Sequence, residues 1–285
     1  MRAASLATDV AHCRKHKKEE TQGSSRIHQH TQRHHHGHGP SLAELPNVND
    51  LHAGVQYYTG QAFDMEGITK AAHQAGCIAG FDLAHAVGNL DLKLHDWGVD
   101  FACWCTYKYL NAGPGAIAGC FVHERHAQSS HLPRFAGWWG HDEATRFDMT
   151  KPFSPEPGAR GFQLSNPPIL QCVSLIASLE IFASAGGMGP IRQKGVLLTG
   201  YLLSLLEATC GGHVSIVTPR DPPRRGCQVS IKFDRPAKPI FSKLEEKGVV
   251  CDYREPDVIR VAPCPLYNTF REVHSVASII SGMLQ

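Results

Sequence analysis

Three short apolar runs most constrain what this chain can fold into: CIAGFD at 77–82, VDFACWCT at 99–106 and IAGCFV at 117–122. Each is too short for a buried helix and is set off by turn residues. Runs of this kind read as strands buried on both faces, as in parallel sheets. Ahead of them, Val55 to Tyr58 reads as a further short strand, ended by Thr59-Gly60. The ITKAAHQA stretch between reads as a helix, capped by Asp64 and stopped at Gly76. Strand, helix and strand in this order predict an α/β fold built on an open, mostly parallel sheet.

The pattern changes further on. Residues 123–165 are loop-rich and contain GWWGH and RFDM. The NPP at 166–168 places proline at a helix start. ILQCVSLIASLEIFASA is expected to be a long buried helix ending at Gly186-Gly187. A second helix, 190–209, sets Leu197, Leu198, Tyr201, Leu202, Leu205 and Leu206 on one face. HVSIVT, CQVSIKF, VVCDYR and VIRVAP then read as strands, PIFSKLEEKG as a helix, and a last helix begins near Asn268. Together these make a compact α+β unit. The expected organisation is therefore a non-matching, His-rich tail at 1–53, the remainder of a large α/β domain at 54–189, and a C-terminal small domain at 190–285 that includes its leading helix.

The tail carries RIHQHTQRHHHGHGP and a basic run from Arg14 to Lys18. It has neither helix nor strand periodicity and is expected to be disordered. His34, His35, His36 and His38 could capture a metal adventitiously, but no cysteine or carboxylate completes a shaped set, so no metal site is expected. The net charge of +2 gives no footprint for nucleic acid or an anionic membrane. Apolar stretches break before the length of a membrane span, and the N-terminus has no secretory h-region. The 10 cysteines form no CxxC pair and read as small core residues in a reducing compartment.

Asp82 ends one apolar run and Lys108 closes the TYK that ends the next, 26 positions on. In open α/β sheets ligands sit at the carboxyl ends of the strands, so both groups face one crevice. They could form a plain ion pair. They could also hold pyridoxal phosphate, which needs a lysine for its aldehyde and a carboxylate for its pyridine nitrogen. Unit charges in contact attract by about 4 kcal/mol at an effective dielectric of about 20, enough to keep that nitrogen protonated at neutral pH. The Asn-Ala-Gly-Pro-Gly after Tyr109-Leu110 allows close approach of backbone to a ligand. Arg260, alone in the apolar VIRVAP, suits either a ligand carboxylate or a nearby acidic side chain.

The stretches GVQYYTGQ, GFDLAHAVGN, LHDWGVDFACWCTYKYLNAGPG, GWWGH, SNPPI and IRVAPCPLYN closely resemble the kynureninase family, across essentially all of 54–285. The resemblance implies a fold-type I pyridoxal-phosphate enzyme, homodimeric and cytoplasmic, that hydrolyses L-kynurenine or its 3-hydroxy form. It implies Lys108 as the Schiff-base lysine and proton carrier, and Asp82 as partner of the pyridine nitrogen. By the same resemblance His85 helps seat the cofactor, and Tyr107 contacts its phosphate and shares in proton transfer. Trp138 and Asn166 are cofactor- and substrate-site positions in a site shared across the dimer interface, and Arg260 holds the substrate α-carboxylate. For His85, Tyr107 and Trp138 simple packing is the competing role; for Asn166 it is capping the following helix. Residues 1–53 hold no counterpart of the family segment that supplies further strands, the aromatic stacked on the ring and most of the phosphate-binding loop. Weak cofactor binding and little turnover are expected on that account. Two rival readings follow from the same residues: a truncated, non-catalytic chain, or another fold-type I enzyme of the class V aminotransferase or desulfurase type.

Overall fold

The computed structural model describes residues 51–126, 132, 134–149 and 152–284. The His-rich segment and its four candidate histidines lie outside the described residues. Among the described residues no group of three or more His, Cys, Asp or Glu is placed to hold a metal ion.

The first unit is a four-stranded sheet of β1 (Leu51–Ala53), β2 (Gly80–Asp82), β3 (Phe101–Cys105) and β4 (Ala118–Val122), in that order. The first two pairings are parallel and the last is antiparallel. Helix α1 (Met65–Gln74) crosses from β1 to β2, its N-terminus capped by Asp64, whose side chain accepts from Gly67 N. Met65 and the half-buried Ile68 and Ala72 of α1 pack with Phe81, Leu83, Val99 and Ala102, all nearly or wholly excluded from solvent. At the far edge of the sheet the buried Asp100 carboxylate bonds His73 at 2.8 Å, His126 at 2.7 Å and the backbone N–H of Ala79 at 2.8 Å, which fastens the start of β3 to the end of α1.

The first strand lies earlier than the sequence suggests. Val55 to Tyr58 is not a strand, and Leu51–Ala53, within the stretch expected to be tail, pairs with β2 instead. The reason is local. Gln56 Oε1 accepts from Tyr58 N at 2.5 Å and Thr59 N at 2.7 Å, and this closes a turn where an extended segment would need those groups for pairing.

Helices α2 (Ile169–Ser184) and α3 (Met188–Thr209) follow the loop-rich region and meet at 79°. No single helix among the described residues is long and apolar enough to cross a membrane. The expectation of a buried α2 is corrected: Ile169, Leu170, Val173, Ile176 and Ile181 are all more than half exposed, and only Ser178 and Phe182 are buried. The side that faces the body carries Ser174 and Ser178, whose hydroxyls donate to Ala112 O and Leu110 O in the loop after Lys108. Leu197 is likewise 61% exposed, away from the α3 face that buries Leu198, Leu202 and Leu206.

The C-terminal unit is an antiparallel sheet in the order β5 (Val214–Ile216), β6 (Val229–Phe233), β8 (Val258–Val261) and β7 (Asp252–Arg254). Helices α3, α4 (Ala237–Glu246) and α5 (Phe270–Leu284) share its core, where Leu202, Leu206, Ile231, Leu244, Ile259 and Ile280 are fully buried. Each such side chain contributes about 1.5–3 kcal/mol by burial. Leu202→Ala is expected to cost about 2–5 kcal/mol, since the site is too well packed to collapse fully. Urea unfolding checks this, and a loss well below 1 kcal/mol would mean that α3 does not close this core.

Candidate active site

The parallel register of β1, β2 and β3 brings their carboxyl ends to one edge. The ladder runs one residue beyond the strands, with Gly54 N to Asp82 O and Leu83 N to Cys103 O, both 2.8 Å. There the chain turns away and leaves side chains exposed at the edge. Asp82 is the last residue of β2. Its Oδ1 accepts from Ala84 N at 2.8 Å, which aims the carboxyl group. Asp82 is solvent-exposed, and no ion pair among the described residues neutralises it. The plain Asp82–Lys108 ion pair left open by the sequence is therefore not formed.

Lys108 meets His85 instead. Its Nζ lies 3.2 Å from His85 Nε2 and 5.9 Å from the centre of the Tyr107 ring. An ammonium only donates, so His85 Nε2 is the acceptor and the ring proton sits on Nδ1. That Nδ1 is buried and has no partner. Burial pushes the imidazole pKa down to about 4, helped by the positive charges of Lys108, Arg260 and Arg254 and opposed by Asp252. Tyr107 is 52% exposed, and its hydrogen bond with Cys105 raises its pKa. An open hollow at this edge is lined by Ala53, Val55, Gln56, Tyr57, Asp82 and His85.

Arg260 comes from the other sheet. Of the two possibilities left by the sequence, the structure shows the nearby acidic side chain. Its Nε and Nη2 grip Asp252 Oδ2 at 2.6 and 2.5 Å, across the β7–β8 pairing, while Nη1 donates to Tyr57 O, 2.5 Å away, in the wall of the hollow. Trp138 and Asn166 are elsewhere. Trp138 opens a short turn, 58% exposed, with its ring edge-on to Phe147 at 5.6 Å. Asn166 is exposed and accepts from Ser165 Oγ at 3.1 Å; it does not cap α2, whose N-cap position is Pro168. The two belong to one loop cluster, because Gly137 and Gly140 lie against the backbone of Leu164 and Gln163 so closely that no Cβ fits. No hydrogen bond or ring contact among the described residues joins Trp138 or Asn166 to Asp82, His85 or Lys108.

Several residues at the edge were not singled out from sequence. Asn89 is buried; its Nδ2 donates to His85 O at 2.9 Å and its Oδ1 accepts from Cys227 N at 2.8 Å, so it ties the His85 loop to the C-terminal unit. Gln228, Ser230 and Lys232 alternate with the apolar Cys227, Val229, Ile231 and Phe233, and that alternation was the available signal.

The fold is that of the fold-type I pyridoxal-phosphate enzymes. A cysteine desulfurase from Thermococcus onnurineus NA1 superposes with a TM-score of 0.67 at 17% identity, over 81% of this chain and 58% of its own. The cystine C-S lyase C-DES, in complex with its product cysteine persulfide, gives 0.68 at 21%, over 80% and 59%. Sequence narrows this class. Residues 191–280 match the profile described as Kynureninase C-terminal domain. The kynureninase of Nematostella vectensis is 56% identical over 243 residues, 81% of this chain and 52% of its own length; that of Mus musculus is 52% identical over 254, 86% and 53%. The chain belongs to the kynureninase family and spans about half the length of the curated relatives it matches.

The histidine has a measurable consequence. The folded chain keeps His85 neutral down to about pH 4, whereas an unfolded chain protonates it near 6.5, roughly. Between those values the unfolded state binds the extra proton, so stability falls as pH falls, by at most about 3 kcal/mol. Urea unfolding at pH 7.5, 5.5 and 4.5 is expected to show this loss, and His85→Asn to remove that part of it. An unchanged slope in the variant would show that His85 is not held neutral.

Proposed function

We propose that the chain acts in pyridoxal-phosphate-dependent hydrolysis of L-kynurenine, or its 3-hydroxy form, to anthranilate or 3-hydroxyanthranilate and L-alanine. This is a cytoplasmic step of tryptophan breakdown that feeds NAD synthesis. One observation carries the reading: a lysine amine, an unneutralised carboxylate and an imidazole with an orphaned N–H share one strand edge, in a chain more than half identical to kynureninases.

Those residues fit the cofactor. The orphaned His85 Nδ1 has donor capacity that the protein itself leaves unused. Asp82 has a free charge at the end of β2, suited to a protonated ring nitrogen. When bound, pyridoxal phosphate supplies an electron sink for the substrate α-carbon. The chain's own residues do the rest. Neutral His85 accepts a hydrogen bond from Lys108 and orients its Nζ, the amine that would hold the cofactor's aldehyde and would carry the α-proton. Tyr107, exposed beside it and with its proton held above the usual phenol range, donates toward the phosphate. Arg260 takes the α-carboxylate.

We further propose that the working unit is a homodimer. The separate loop cluster of Trp138 and Asn166 then completes the partner's site, and the exposed apolar side of α2, which begins three residues after Asn166, is covered in the assembly.

Incubation with pyridoxal phosphate and either L-kynurenine, L-cysteine or L-alanine tests the function. A low rate of anthranilate release from kynurenine, without sulfide from cysteine, is expected. Lys108→Arg should lower turnover roughly a hundredfold or more. Sulfide release without anthranilate would assign the chain to desulfurase chemistry.

A further inference from the structure

Three consecutive backbone carbonyls, those of Tyr57, Tyr58 and Thr59, face the C-terminal sheet, and each is met by a side chain from it. Gln228 Nε2 lies 2.9 Å from Tyr57 O and 3.2 Å from Tyr58 O. Ser230 Oγ donates to Tyr58 O at 2.6 Å, and Thr218 Oγ1 to Thr59 O at 2.6 Å. Arg260 Nη1 adds a second donor to Tyr57 O at 2.5 Å. The donors are cross-linked: Gln228 Nε2 is 3.0 Å from Ser230 Oγ, and Thr218 Oγ1 accepts from Ser230 N at 2.8 Å. Gln228, Ser230 and Thr218 are 3%, 0% and 2% exposed.

Burying three polar side chains beside the apolar core of this sheet contributes little net stability, because each must first lose its water. What a satisfied buried network does supply is a single geometry. Apolar packing between the two sheets would tolerate sliding; this seam does not. The turn it fixes forms part of the wall of the hollow, and Tyr57 O is the acceptor shared by Gln228 and Arg260.

The guanidinium is thus held from two sides. Asp252 takes Nε and one Nη2 hydrogen, and Tyr57 O takes one Nη1 hydrogen. Of five N–H donors that leaves one on Nη1 and one on Nη2 for a ligand anion.

We propose that Gln228, Ser230 and Thr218 are positioning residues that register the C-terminal sheet on the Tyr57–Thr59 turn and so aim the two free N–H groups of Arg260 at the carboxylate of an α-amino-acid ligand. This rests on the reading of Arg260 as the carboxylate-binding group. A purely structural seam would lower stability when cut and leave Arg260 and its ligand alone. A positioning seam would also move Arg260 relative to His85, whose titration senses that charge.

The test uses the full chain with Ser230→Ala, Thr218→Val and the near-isosteric Gln228→Met, and with Arg260→Leu as comparator. Two readouts are taken: the His85 ring titration by NMR without cofactor, and L-alanine affinity of the cofactor-loaded protein by calorimetry. The seam variants are expected to move the His85 midpoint up, in the direction of Arg260→Leu, and to weaken L-alanine about tenfold or more, the size of effect that follows from losing an aimed charge-assisted pair. Single variants that fold, keep the wild-type midpoint and bind L-alanine as wild type would overturn the proposal. If Arg260→Leu itself leaves L-alanine binding unchanged, the carboxylate reading of Arg260 fails; if it weakens binding and the seam variants do not, only the seam fails. Should a variant not fold, the remaining two carry the same comparison.

Discussion

The parallel pairing of β1, β2 and β3 is the constraint on which the rest depends. Parallel strands end on one side, so the residues that close β2 and follow β3 share an edge whatever the intervening chain does. Asp82 and Lys108 are 26 positions apart in sequence and come to that edge without any direct bond between them. His85 accepts the hydrogen bond of the amine, and burial of the imidazole keeps it in the neutral form that can accept.

In the proposed reaction the group that takes the substrate carboxylate, Arg260, comes from a second sheet with its own core, so two independently packed units have to agree to within a fraction of a hydrogen-bond length. The agreement is made by polar contacts. Asn89 joins the His85 loop to Cys227, and the seam at 57–59 joins the wall of the hollow to β6 and to Arg260. Hydrophobic contact could supply the adhesion between the units but not their register.

Much of this was legible in the sequence. Short apolar runs gave β2 to β4 and the four C-terminal strands, because strand length and turn residues are local properties. Asp82 and Lys108 stood out as charges at the ends of buried runs, and Arg260 as a charge inside one. Three things were not legible. The position of β1 turned on the Gln56 side chain capturing two backbone N–H groups, a choice made by one residue against the strand pattern around it. The exposure of α2 was hidden because a helix apolar all round states that it wants apolar partners and not on which side they sit. The seam joins residues between 159 and 203 positions apart, and no local rule reaches that far.

The central claim is that Lys108, hydrogen-bonded to neutral His85 and not ion-paired with Asp82, presents the amine that takes an aromatic aldehyde. Adding pyridoxal phosphate, reducing with borohydride and locating the added mass by peptide mass spectrometry tests it most directly. The account requires the gain on the peptide that contains Lys108, diminished when Asp82 is replaced by asparagine. Mass spread over surface lysines, with Lys108 unmodified, would contradict it.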